Sequence, residues 1–354
     1  MTPEKVETTP SVVFFVVFLL CAKALFDRLQ KERFSSMKKI VVVGGGSGSF
    51  SVLQGLKGYP YDITAVATTF DSGMHTGEIR DRFGTLPSGD VRRQILALAP
   101  EDHSSILRGL FMFRYEEPEA KFSKSLGNLM LMAAEKITGD PVAGIKAISE
   151  LFQIRGRVLP VSTDDAHVCV ELKDGTVIRG ESNIDKPKHD GSIPIVSVYL
   201  EPEALIYRET YEVTRDANLL VVSPGDLYSS LSPIFVVNGY TDAVQECKGM
   251  KVCVANLMTK WGETNGYTVA DCARVLTKYL GIPKFDAVIC NSKPLDPGLL
   301  KKYAEEKAFP MAIDEAILRN YAGNIIKAPI ADETGGIIRH NSRELARILK
   351  GCVP

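Results

Sequence analysis

From Lys39 onward, short unbroken apolar runs alternate with stretches of helical periodicity. Ile40-Val41-Val42-Val43 is β-branched throughout and shows no polar alternation. That pattern belongs to a parallel strand covered on both faces rather than a half-exposed one. Apolar residues then recur at Phe50, Leu53 and Leu56 and the pattern stops near Gly58, which predicts a helix. Further strands are predicted at 63–69, 219–222, 251–255, 286–290 and 323–329, and helices at 91–98, 126–134, 142–151 and 342–349. The glycine-rich stretch between Asp71 and Asp90 predicts a loop. From 156 to 202 the pattern turns strand-rich, with two runs joined by Lys173-Asp174-Gly175, a hairpin signature.

Strands alternating with helices imply an α/β, Rossmann-like fold, a three-layer αβα core around a mostly parallel sheet, with a β-rich insertion. Residues 37–354 are expected to form one nucleotide-binding domain, and residues 1–36 an apolar extension. Within that extension, Val12 to Phe26 is apolar except for Lys23, 15 residues in all. Unaided spanning needs roughly 20. Three readings stay open here: a short membrane anchor, a surface amphipathic segment, or sequence upstream of a true start at Met37. Membrane contact is expected only through residues 12–26. The lysines and arginines that follow place the remainder in the cytoplasm by the positive-inside rule.

Charge narrows the function classes. Forty-two basic residues against 43 acidic ones leave a formal charge of −1, which speaks against nucleic acid as a partner. A small anionic ligand stays open, because a few backbone N–H groups can hold a phosphate. Seven cysteines without a CxxC pair are expected to be reduced thiols, most of them buried. Neither GxSxG nor HExxH occurs, so neither a nucleophile elbow nor a zinc-protease helix is indicated.

The candidate chemistry lies at strand ends. Gly44-Gly45-Gly46-Ser47-Gly48 joins the first strand to the first helix. Glycines there let backbone N–H groups approach an anion, and the helix adds its positive end. The spacing is GxGxG without a Walker lysine, so a tight structural turn competes with a phosphate cradle. Ser223, Gly225 and Tyr228 form a second candidate loop, and Asn256 follows a later strand. Asn128 is placed either to cap a helix or to touch ligand. Asp71 and Asp90 are the carboxylates best placed for a metal ion or a sugar hydroxyl. In a dinucleotide-binding fold Asp71 would take a ribose hydroxyl, which raises an NAD-dependent oxidoreductase as one alternative. Arg80 and Arg92 are candidate phosphate neutralisers. Trp261 is expected to serve packing or an interface.

Several ordered blocks go further. They are residues 39–49 (KIVVVGGGSGS), 77–90 (GEIRDRFGTLPSGD), 127–129 (GNL), 155–160 (RGRVLP), 223–230 (SPGDLYSS), 256–264 (NLMTKWGET) and Arg339-His340-Asn341. Together they resemble the gluconeogenesis-factor (YvcK-type) family of the CofD-like superfamily. The resemblance implies a protein that binds a UDP-sugar or similar nucleotide diphosphate and regulates cell shape and cell-wall metabolism, without an assigned reaction. It equally raises a CofD-like transferase, a magnesium-dependent 2-phospho-L-lactate transferase acting on a deazaflavin acceptor. A homo-oligomer is expected. Two departures stand out. Asp71-Ser72-Gly73-Met74 replaces the family's Asp-Asp-Gly-Gly, and Asp226 stands where its second glycine loop has serine.

Overall fold

The apolar runs become strands because both their faces are covered. The computed structural model describes residues 37–100, 105–116 and 124–354, and the apolar extension at 1–36 lies outside the described residues. Its principal strands are β1 (Lys39–Val43), β2 (Asp62–Ala67), β3 (Arg157–Pro160), β4 (His167–Leu172), β5 (Val177–Arg179), β6 (Ile195–Glu201), β7 (Leu219–Val222), β8 (Met250–Val254), β9 (Phe285–Asn291) and β10 (Ala322–Ala328). The helices used below are α1 (Gly46–Leu56), α2 (Met74–Phe83), α3 (Gly89–Leu98), α4 (Leu126–Thr138), α5 (Pro141–Leu151), α6 (Glu181–Asp185), α7 (Val269–Leu280) and α8 (Ser342–Cys352). Among the described residues, no helix is long and apolar enough to cross a membrane.

Seven strands form one sheet in the order β10-β9-β8-β7-β1-β2-β3, every neighbouring pair parallel. Ile40 and Val42 face a core shared with α1, α3, α5 and α8, while Val41 and Val43 face a second core shared with α7. This division explains the missing alternation in β1: successive residues point to opposite faces, and both faces are dry.

The insertion is smaller than the composition suggests. β3 joins the main sheet by pairing with β2, so the inserted sheet proper is the antiparallel trio β5-β4-β6. Its D-G turn forms as expected, with Gly175 at φ +86 and its N–H donating to Leu172 O at 2.9 Å. Val168 and Val170 of β4 pack into the α7 core, so the insertion is part of the domain's interior.

The 71–90 stretch also departs from expectation. Met74–Phe83 is helical and ends at Gly84, whose φ of +59 supplies the left-handed stop. Glycine at 73, 77, 84 and 89 hid the helix from a composition-based reading, since glycine disfavours helix interiors. Of the seven cysteines, the six in the described region are all free thiols, and all but Cys272 are buried.

Candidate functional site

β1 and β7 are neighbours, but the chain leaves them in opposite directions, β1 towards β2 and β7 towards β8. Loops diverging from such a pair open a crevice at the carboxyl ends of the strands. The Gly44–Gly48 loop and the Ser223–Asp226 loop stand on its two sides. Both glycine segments are explained first by their contact with one another. A Cβ on Gly44 would lie 2.2 Å from Ser223 Oγ, and one on Gly48 would lie 2.0 Å from the Pro224 carbonyl oxygen. A Cβ on Gly45 would meet Asp90 Oδ2 at 1.9 Å. Of the four loop glycines Gly46 alone has room for a Cβ, its nearest neighbour being Arg93 Nη1 at 3.8 Å, and its φ of +66 sets the turn into α1.

The start of α1 is where an anion can be held. Gly46 N donates to Asp90 Oδ1 at 2.8 Å, so Asp90 caps this end of the helix. Ser47 and Gly48 occupy the next two positions, whose N–H groups have no partner within a helix. They open on a cleft of about 280 Å³ that Met258, Tyr303, Ile338, Arg339 and His340 also line.

The structure assigns the remaining candidates differently. Asn256 spends its amide on the second loop, accepting from Gly225 N at 2.9 Å and donating to Gly225 O at 2.7 Å. It lines the cleft, yet its role is to hold Gly225 in place. Ser223 is fully buried beneath Gly44 and donates to Pro224 O at 3.3 Å. Tyr228 is buried, its hydroxyl 3.1 Å from that of Tyr267, and it does not reach the cleft. Asn128 is not the helix cap: Ser125 takes that place, while Asn128 Nδ2 donates to Thr76 Oγ1 at 3.1 Å. Arg80 is buried against the insertion, bonded to Asp165, to Ala166 O and to the ring of His167. Arg92 runs towards Phe111 O. The basic group at the glycine loop is its neighbour Arg93, whose Nη1 lies 3.8 Å from a Cβ built on Gly46 and 3.6 Å from Asp90 Oδ1. Trp261 packs its indole on Gly191 with Lys307 Nζ 3.8 Å above the ring, a packing contact with the insertion.

Asp71 does not line the cleft. Its carboxylate accepts from Gly73 N at 2.7 Å and shares a half-buried corner with Glu181 of α6. Burial, then the charge of Asp71, pushes the Glu181 carboxyl up to about 9, and burial also raises Asp71. Burial likewise raises Asp90, against the pull of Arg93 and Gly46 N–H. A second polar group links the insertion to the loop after β7. Lys260 Nζ bonds to Asp185 and Asp226 and lies 3.4 Å from the buried Glu263. Burial opposes the Lys260 charge, but Glu263, Asp226 and Asp185 outweigh it and raise its pKa. Asp185, Asp226 and Glu263 have the spacing of a metal-binding trio, and the ammonium supplies their positive partner.

His340 and Arg339 were legible only as part of a motif. Asn341 caps α8 by accepting from Arg343 N and Glu344 N, each at 3.1 Å, so the two residues before it are held at the cleft wall. His340 Nε2 lies 3.1 Å from Ala255 O, an acceptor only. Nε2 therefore carries the proton and Nδ1 is an acceptor. Burial drives the imidazole pKa down to about 4. The unfolded chain takes this proton near pH 6.5. The neutral form is the one the fold keeps, so this contribution is complete above pH 6.5 and is lost as pH falls towards 4. Urea midpoints measured across that range should fall in the wild type and fall less in His340→Gln. Parallel curves would show that His340 does not titrate this way.

Comparisons with known proteins agree with this fold. The family model for 2-phospho-L-lactate transferase CofD matches residues 40–331. A putative gluconeogenesis factor from a Nostoc species is 37% identical over 314 residues, 88% of this chain and 68% of the relative. The gluconeogenesis factor of Bacillus subtilis is 34% identical over 88% of this chain and 96% of its own. A crystal structure of a Bacillus halodurans protein superposes with a TM-score of 0.84 at 34% identity, covering 89% of this chain and 100% of that one. A second crystal structure of the same protein, described as a member of the upf0052 family, superposes at 0.82 with 35% identity, covering 88% and 99%. With two glycine loops meeting at the switch point of a parallel sheet, and with relatives matching over most of its length, the chain belongs to the CofD family, among its gluconeogenesis factors.

Proposed function

We propose that the cleft binds a nucleoside diphosphate carrying a sugar, a UDP-sugar by preference, and that the protein regulates cell shape and cell-wall metabolism through the bound state. The observation that carries this reading is the pair of N–H groups of Ser47 and Gly48, without a partner among the described residues, at the positive end of α1 and facing a cleft of about 280 Å³. A diphosphate placed there has Arg93 beside Gly46 and Arg339 in the lining of the same cleft. The nucleoside would lie against Met258, Tyr303 and Ile338, with His340 Nδ1 accepting from a base N–H or a ribose hydroxyl.

Thermal unfolding with UDP-sugars, GDP, NADH and a blank, each with and without magnesium, tests it. Ligand at about 100 times its Kd adds roughly 2.7 kcal/mol, enough to shift the midpoint by several degrees. The expected result is a shift with UDP-sugars that needs no magnesium and shrinks in Arg339→Ala. No shift with any nucleotide would remove the reading. An NADH shift would restore the oxidoreductase alternative; the Glu181 carboxyl beside Asp71 speaks against it.

One observation favours a transferase as second reading. Asp71 and Glu181 crowd two hard oxygen donors into a half-buried corner near Asp90, a donor set that suits magnesium. Asp71 and Glu181 would hold the ion, which would neutralise charge on a transferring phosphoryl group. A magnesium-dependent shift with GDP, and turnover lost in Asp71→Ala, would favour that reading.

A further inference from the structure

Asp226 sits at the entry to the one-turn π-helix Leu227–Leu231, where an aspartate ordinarily caps the helix with its own carboxylate. Here it makes no such bond. Glu263 does the capping instead, accepting from Tyr228 N at 2.8 Å and Ser229 N at 3.1 Å. Asp226 is thereby freed from capping and lines the cleft beside Gly225 and Ser230. Its Oδ2 takes Lys260 Nζ at 2.7 Å, while Oδ1 has no partner among the described residues. The carboxylate is thus fixed in direction, with one oxygen left to accept. It belongs to the second loop, which abuts the start of α1 at Gly48, so it stands in the same cleft as the α1 amides that would hold phosphate.

We propose that Asp226, oriented by Lys260, selects the outer half of the ligand: its free oxygen accepts hydroxyl donors from a sugar and repels a terminal phosphate. This inference rests on the nucleotide reading of the cleft. A carboxylate is an acceptor only, so a hydroxyl satisfies it and a phosphate oxygen cannot. Lys260 does not reverse that preference, because its ammonium is already shared among Asp185, Asp226 and Glu263. Discrimination therefore comes from a repulsive group built against the wrong ligand as well as an attractive one for the right ligand.

The test is calorimetric titration of UDP-glucose and UTP into the wild type, Asp226→Ser and Asp226→Asn. The wild type is expected to bind UDP-glucose at least about tenfold more tightly than UTP, a difference of about 1.4 kcal/mol. Asp226→Ser should bring the two affinities together by weakening UDP-glucose and strengthening UTP. Asp226→Asn keeps the shape and an acceptor oxygen without the charge, so it should strengthen UTP while retaining most of the UDP-glucose affinity. If both nucleotides bind with a ratio that neither variant changes, the inference is overturned and the nucleotide site stands. If neither binds to the wild type, the site reading falls and the inference with it.

Discussion

Gly48→Ala is expected to lower stability by about 3 kcal/mol and to abolish nucleotide binding, although helix propensity alone predicts the opposite sign. Residue 48 lies inside α1, where alanine is ordinarily favoured over glycine by about 1 kcal/mol. The new Cβ would sit 2.0 Å from the Pro224 carbonyl oxygen and 2.6 Å from its carbon, and backbone cannot turn aside as a side chain can. Overpacking of this kind costs roughly 1–3 kcal/mol, with the upper end apt when the obstacle is main chain. Relief requires the two loops to part, which moves the amides that line the cleft. Gly351→Ala is the control: that glycine is also helical but has nothing within 4 Å of the added carbon, so it should gain stability. Urea midpoints for both variants, with UDP-sugar titration of each, provide the check. A Gly48→Ala protein as stable as the wild type would show that the loops are not in contact.

The second large effect is expected at Glu263. Its side chain is fully buried and accepts from Tyr228 N, Ser229 N and, at 2.8 Å, Ser229 Oγ. Glu263→Ala strands those donors and removes one of the three anions around Lys260. Each buried donor left without a partner costs about 1–3 kcal/mol, and breaking a buried ion pair costs about 3–5 kcal/mol. These overlap, so a loss of about 3–5 kcal/mol in urea unfolding is expected. Glu263→Gln, which retains acceptor capacity, should lose less. A loss below about 1 kcal/mol for the alanine variant would mean that the turn after β7 is held by something else. The same result would weaken the case for Asp226, since Glu263 is what frees it from capping.

The comparison of sequence and structure divides along a physical line. Where an element's identity rests on neighbours in the chain, the sequence sufficed. β-branched runs specified buried parallel strands, a D-G pair specified the hairpin turn, and glycines after β1 specified a loop that the backbone of another segment can approach. The family itself was legible from short blocks, because their order along the chain carries the fold. What the sequence could not decide is which atoms across the chain use up a residue's hydrogen bonds. Asn256 satisfies both ends of its amide on Gly225, 31 residues away. Tyr228 looks like a loop residue and is interior, whereas Arg93 looks like any helix-surface arginine and lies beside Gly46. Asp71 follows a strand as a ribose-binding carboxylate would, but the insertion brings Glu181 against it and it is not part of the cleft lining. Local patterns encode propensity and periodicity, while the partner of a polar group is set by packing between distant segments, and only the tertiary structure decides that.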